Sequence, residues 1–115
     1  MALSEFEIKK AEKLVKGFID KHRPPVHIRN EVDIGYRIVN QSVEIFEIRP
    51  RWDNPKEKTE TPVVKTTYVK ADKAWKIYWQ RSDLKWHSYQ PYPTAKYLEE
   101  VLEVVGEDKN ACFWG

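Results

Sequence analysis

The sequence predicts an α+β protein: a five-stranded antiparallel meander sheet with N-terminal and C-terminal helices packed on one face, in the order α-β-β-β-β-β-α. Three observations predict it. Apolar residues recur with helical spacing near both ends of the chain. Between them, short runs rich in β-branched and aromatic residues alternate with period two. The breaks between most of these runs are only a few residues long, which suits hairpins and is too short for parallel crossovers.

Ser4 to about His22 reads as the first helix. Ser4 and Glu7 have capping-box spacing, and Leu3 and Ile8 sit where a hydrophobic staple closes. Ile8, Ala11, Leu14, Val15, Phe18 and Ile19 form one stripe. Arg23-Pro24-Pro25 stops the helix, because proline lacks an amide and restricts its predecessor. Val32 to Ile38 alternates as a strand, Asn40-Gln41 turns, and Ser42 to Arg49 returns. Val43 and Ile45 face one way in that second strand, and Phe46 and Ile48 the other.

Pro50 to Thr61 reads as a long loop in which Trp52 either folds back onto the sheet as a lid or contacts a ligand. Val63 to Lys70, Ala74 to Arg81 and Lys85 to Gln90 complete the sheet. Thr94 caps a second helix over Ala95 to Val105, with Gly106 placed for a left-handed C-terminal cap. Phe113 and Trp114 are expected to dock on the domain.

The 115 residues fit one domain spanning 1–115, large enough to bury a core without disulfides or metals. Hydrophobic residues make up 41% and charged residues 33%, which excludes an intrinsically disordered chain. The single cysteine, Cys112, excludes an internal disulfide and reads as a buried thiol. There is no apolar run of membrane length and no basic-apolar leader, so a cytoplasmic protein without membrane partners is expected. The net charge of +2 does not by itself announce a nucleic-acid binder. Charge is nevertheless local: Arg49, Arg51, Arg81 and Lys85 cluster in the strand region, while acidic residues concentrate in the helices and tail.

Chemistry-bearing residues gather in two segments. In Glu47-Ile48-Arg49-Pro50-Arg51-Trp52, Glu47, Arg49 and Arg51 share a strand face. Arginine forks suit phosphate or carboxylate, whereas Glu47 beside Arg49 equally suits an internal salt bridge. In Trp75 to Tyr89, the Trp75, Ile77 and Trp79 face is expected in the core, with Trp86 joining it. Tyr78, His87 and Tyr89, with Lys76 and Lys85, are expected on the opposite face as an aromatic-basic surface. His87 with Asp83, Glu44 and Glu47 would be needed for acid-base work, and Asp33 with Glu44 and Glu47 for a metal-dependent nuclease. His22, His27 and His87 match no zinc spacing, and the four glycines form no phosphate loop.

Several long motifs resemble a family of short bacterial proteins catalogued only as a domain of unknown function. They are Arg23-Pro24-Pro25, the run Val43 to Trp52, Tyr68-Val69-Lys70, Trp75 to Arg81, Asp83 to Tyr89, and the ending Cys112-Phe113-Trp114-Gly115. Trp114 stands where the family more commonly has phenylalanine. The resemblance spans nearly the whole chain, implies no assigned activity, and transfers no functional residue.

The leading expectation is therefore a non-catalytic binding module for an anionic ligand such as nucleic acid. Its contacts would be Arg49, Arg51, Arg81, Lys85 and His87, with Trp52, Tyr78 and Tyr89 as stacking platforms. The alternative is a protein-interaction or homo-oligomerisation module, including a homodimer formed through an open sheet. A hydrolase or nuclease comes third, and requires the named carboxylates or His87 to converge in one cleft. No cofactor, metal or catalytic residue is expected.

Overall fold

A computed structural model describes residues 4–81 and 83–108. Helix α1 (Glu5–His22) begins where the sequence places it: Ser4 Oγ accepts the Glu7 amide at 3.1 Å and donates to Glu7 Oε1 at 3.0 Å. The staple residue Leu3 lies outside the described residues. A 3-10 turn, Val26–Ile28, leads into β1 (Asp33–Val39). Then follow β2 (Ser42–Pro50), β3 (Lys58–Val69), β4 (Ala74–Gln80) and β5 (Trp86–Ser88). A two-residue strand, β6 (Thr94–Ala95), precedes α2 (Leu98–Glu107).

The sheet order is β1-β2-β3-β4-β5, antiparallel throughout, as the short turns require. β6 joins the same outer edge of β4 that β5 uses, pairing Trp75 with Ala95. Both helices contribute their apolar faces to one continuous core. Val15, Phe18 and Ile19 of α1 and Val101, Leu102 and Val105 of α2 meet Ile45, Val64 and Ile77 from the sheet. Trp75 and Ile77 are buried and Trp79 packs against them, as the period-two pattern predicts. Among the described residues, no helix packs on the opposite sheet face.

Three expectations change. First, the stretch 50–61 is shorter as a loop than expected: β2 runs to Pro50 and β3 starts at Lys58, leaving only 51–57 as the turn. Ile45 opposes Val64 and Phe46 opposes Pro62, so Val63 is the extra residue of a β-bulge. Past the bulge the two strands continue as a ribbon whose residues 51–62 are all exposed. Backbone pairing and charge pairs hold it, and neither leaves a hydrophobic period in the sequence.

Second, Trp52 is not folded onto the sheet; it is 95% exposed at the ribbon tip. Third, α2 starts at Leu98 rather than Ala95, with Tyr97 as an N-cap that makes no side-chain bond. Pairing with β4 claims Thr94 and Ala95 instead. Gly106 lies inside that helix, and the left-handed residue is Asp108 at φ 42°.

Candidate functional sheet face

The register sorts the sheet into two faces. On the helix-free face, one cross-strand row reads Arg37, Glu44, Lys65, Tyr78 and Ser88. The next reads Val39, Ser42, Thr67, Lys76 and Thr94. Gln80 opposes Trp86 beyond Tyr78, so Tyr78 and Trp86 are diagonal neighbours within reach of each other. These residues occupy this face because their strand neighbours are core residues: Val64 and Thr66 flank Lys65, and Ile77 and Trp79 flank Tyr78.

Glu44 and Lys65 also line a depression of about 520 Å³ at the β1–β2 corner, beside Ser42 and Thr67. There Ser42 Oγ and Thr67 Oγ1 are 2.8 Å apart. Arg37 Cζ sits over the buried Phe46 ring, 4.5 Å from its centroid, and the guanidinium pairs with Glu60 and approaches Glu44 at 3.9 Å. Among the described residues, no ion pair joins Lys65, Lys76 or Lys85 to a carboxylate.

The expected site residues divide. Tyr78 lies on the helix-free face, half-buried. Lys85 is exposed in the turn after β4, where Arg81 donates its amide to the Lys85 carbonyl. The Arg81 guanidinium sits 5.4 Å from the Trp79 ring centroid. Arg49 is held by Glu47 through bonds of 2.8 and 3.1 Å, the internal pairing that their spacing allowed. Arg51 clamps the ribbon tip, reaching Glu57 and Asp53 at 2.7 Å each, while its amide donates to the Glu57 carbonyl. That clamp brackets the turn that presents Trp52.

His87 and Tyr89 do not share a face with Tyr78. His87 opposes Trp79, which puts both residues on the helix side. Tyr89 is 2% exposed within the core, with its amide donating to the Ile77 carbonyl, and offers no stacking surface. Trp86, expected in the core, takes the helix-free face instead. The β4–β5 pairing decides this, since side-chain direction alternates within a strand but its phase against the next strand is set by the turn. Sequence reasoning also missed Lys65; its signal was the alternation Val64-Lys65-Thr66 in β3.

The carboxylates needed for catalysis do not converge. His87 Nε2 is 2.8 Å from Asp83 Oδ2. Asp83 is held below the usual carboxylate range, first by the Lys85 amide and then by His87. Glu44, however, lies on the helix-free face of β2, and Glu47 lies on its other face opposite Ile34. Asp33 is tied to Arg23 at 2.7 and 2.8 Å, and that bonding depresses its carboxyl. Among the described residues no group of three or more His, Cys, Asp or Glu could hold a metal ion. No helix there is long and apolar enough to cross a membrane. Cys112, Phe113 and Trp114 lie outside the described residues.

The fold and its surface define a two-layer α+β protein with helices on one sheet face and a polar, lysine-bearing opposite face. The chain belongs to the family described as a domain of unknown function (DUF3024), which it matches over residues 3–115. No curated protein and no solved structure matches it.

Proposed function

We propose that the helix-free sheet face binds a single-stranded nucleic acid. Tyr78 and Trp86 would stack on bases, and Lys65 and Lys76 would meet phosphates. The observation that carries this is two diagonal aromatic residues on one face with Lys65 and Lys76, neither of which is in an ion pair among the described residues. Aromatic platforms on an open sheet among cations suit unstacked bases, because every base has a π-face. The arginines of the β2–β3 ribbon move to a secondary role, since Arg49 and Arg51 already satisfy their own carboxylates.

The test is fluorescence anisotropy of labelled single- and double-stranded DNA and RNA oligonucleotides at two salt concentrations. Salt-sensitive binding that is tighter for single strands supports the proposal. No binding at low salt rejects it.

A second reading, docking of a protein partner, draws on Trp52. An exposed tryptophan is the kind of anchor that dominates protein interfaces once buried. Trp52→Ala should then abolish co-purification of that partner while leaving oligonucleotide binding unchanged.

A further inference from the structure

We propose that the protein pairs with a second copy of itself through the outer edge of β1, antiparallel about a two-fold axis at Gly35. The inference does not depend on the nucleic-acid reading. β1 is the end of the sheet, and among the described residues no strand pairs with its outer side. The Asn40-Gln41 turn makes Val39 and Ser42 the closing pair of the hairpin, so Gly35 and Arg37 direct their backbone groups toward β2. Ile34, Tyr36 and Ile38 therefore direct theirs outward, the arrangement that recruits another strand.

Several of the usual protections of an edge are missing. β1 has no proline and no lysine, and its register with β2 is unbroken. It does carry two charges, Asp33 and Arg37, on the helix-free face. They have opposite sign and stand two residues either side of Gly35. Like charges would repel a second copy, but this arrangement attracts one. A two-fold axis at Gly35 sets Asp33 opposite Arg37 of the second copy, at both ends of the contact. On the helix side it sets Ile34 opposite Tyr36 of the second copy, an aromatic–β-branched pair of the kind that stabilises sheets. At the axis glycine meets glycine, with no side chain to obstruct the approach.

In the single copy, Asp33 Oδ1 accepts the Ile34 amide at 2.8 Å and so covers one outward donor, while Arg23 holds the same carboxylate at 2.7 and 2.8 Å. In the pair that amide bonds the Tyr36 carbonyl of the second copy, and the carboxylate keeps Arg23 while its released lone pair faces Arg37 of the second copy. Arg37 and its present partner Glu60 are both about half exposed, with side-chain exposures of 44% and 50%. Their contact is therefore readily exchanged. The pairing would also join two helix-free faces into one sheet surface.

Sedimentation velocity of the intact chain over a wide concentration range gives the first test, and a concentration-dependent dimer is expected. Arg37→Asp and Asp33→Arg should each weaken that dimer at least tenfold, because each sets like charges in register. An equimolar mixture of the two variants should restore it, since opposite charges then face across the edge. Amide exchange on the unmutated chain provides a readout that needs no variant to fold: Tyr36 should gain protection as concentration rises. A wild-type chain that stays monomeric overturns the proposal. So does a dimer that both variants leave intact, or a Tyr36 amide that exchanges equally at all concentrations.

Discussion

Gly35 shows how one absent atom can organise its surroundings. A Cβ there would meet Phe46 Cε2 at 2.9 Å, closer than Cβ atoms come in real proteins, and Cζ at 3.1 Å, a tight contact. The glycine therefore lets the Phe46 ring lie across β1, where Arg37 covers it. Gly35→Ala is expected to destabilise by about 1–3 kcal/mol through overpacking, measured by urea denaturation.

Asp33 gives a pH dependence whose sign follows from its bonds. Arg23 bonding depresses its folded-state pKa below the unfolded value. Its contribution is therefore fully present above the ordinary value of about 3.9 and is lost as pH falls through the lower folded one. Arg23→Ala should raise the Asp33 pKa in a carboxyl NMR titration and move acid unfolding to higher pH. His22 has the opposite origin. Burial against Phe18, with ring centroids 4.3 Å apart, lowers its pKa first, and Lys21 lowers it further.

Elements differ in how openly their sequence declares them. Helix α1 is legible because its cap and its stripe report the same structure, and Ser4→Ala should cost about 1 kcal/mol in thermal or urea unfolding. β4 is legible because burial on one side forces Trp75, Ile77 and Trp79 into alternation. Ile77 is fully buried, so Ile77→Ala should cost about 2–5 kcal/mol by loss of transfer energy and a residual cavity. The β2–β3 ribbon is illegible by the same logic. It buries no apolar face, and the Arg51 clamp and Arg37–Glu60 pair that hold it leave no periodic trace. The N-terminus of α2 was misplaced because Thr94 is an acceptable cap by itself, yet β4 needed a partner at Lys76.

At the scale of the molecule, the meander gives the chain two unequal faces. One is sealed by both helices, and the other displays Lys65, Lys76, Tyr78 and Trp86. If that open face carries nucleic acid, Lys65→Ala with Lys76→Ala should weaken single-strand binding. The slope of log affinity against log salt should fall by roughly one to one and a half, since each single-strand phosphate contact releases about 0.7 counterion. Arg49→Ala with Arg51→Ala should leave that slope nearly unchanged, because both arginines already have carboxylate partners.

The sequence by itself determined the element order, the antiparallel meander, the helix stripes and most of the core. These follow from hydrophobic period and turn chemistry, which act within a few residues along the chain. Only the tertiary structure decided which side chains share a surface. It moved His87 and Tyr89 away from Tyr78, brought Trp86 beside Tyr78, and gave the ribbon arginines their own carboxylates. The physical reason is that period two fixes alternation within a strand and leaves its phase against the next strand open. That phase comes from backbone hydrogen bonds between strands and from a bulge at Val63, both of which are contacts across the fold.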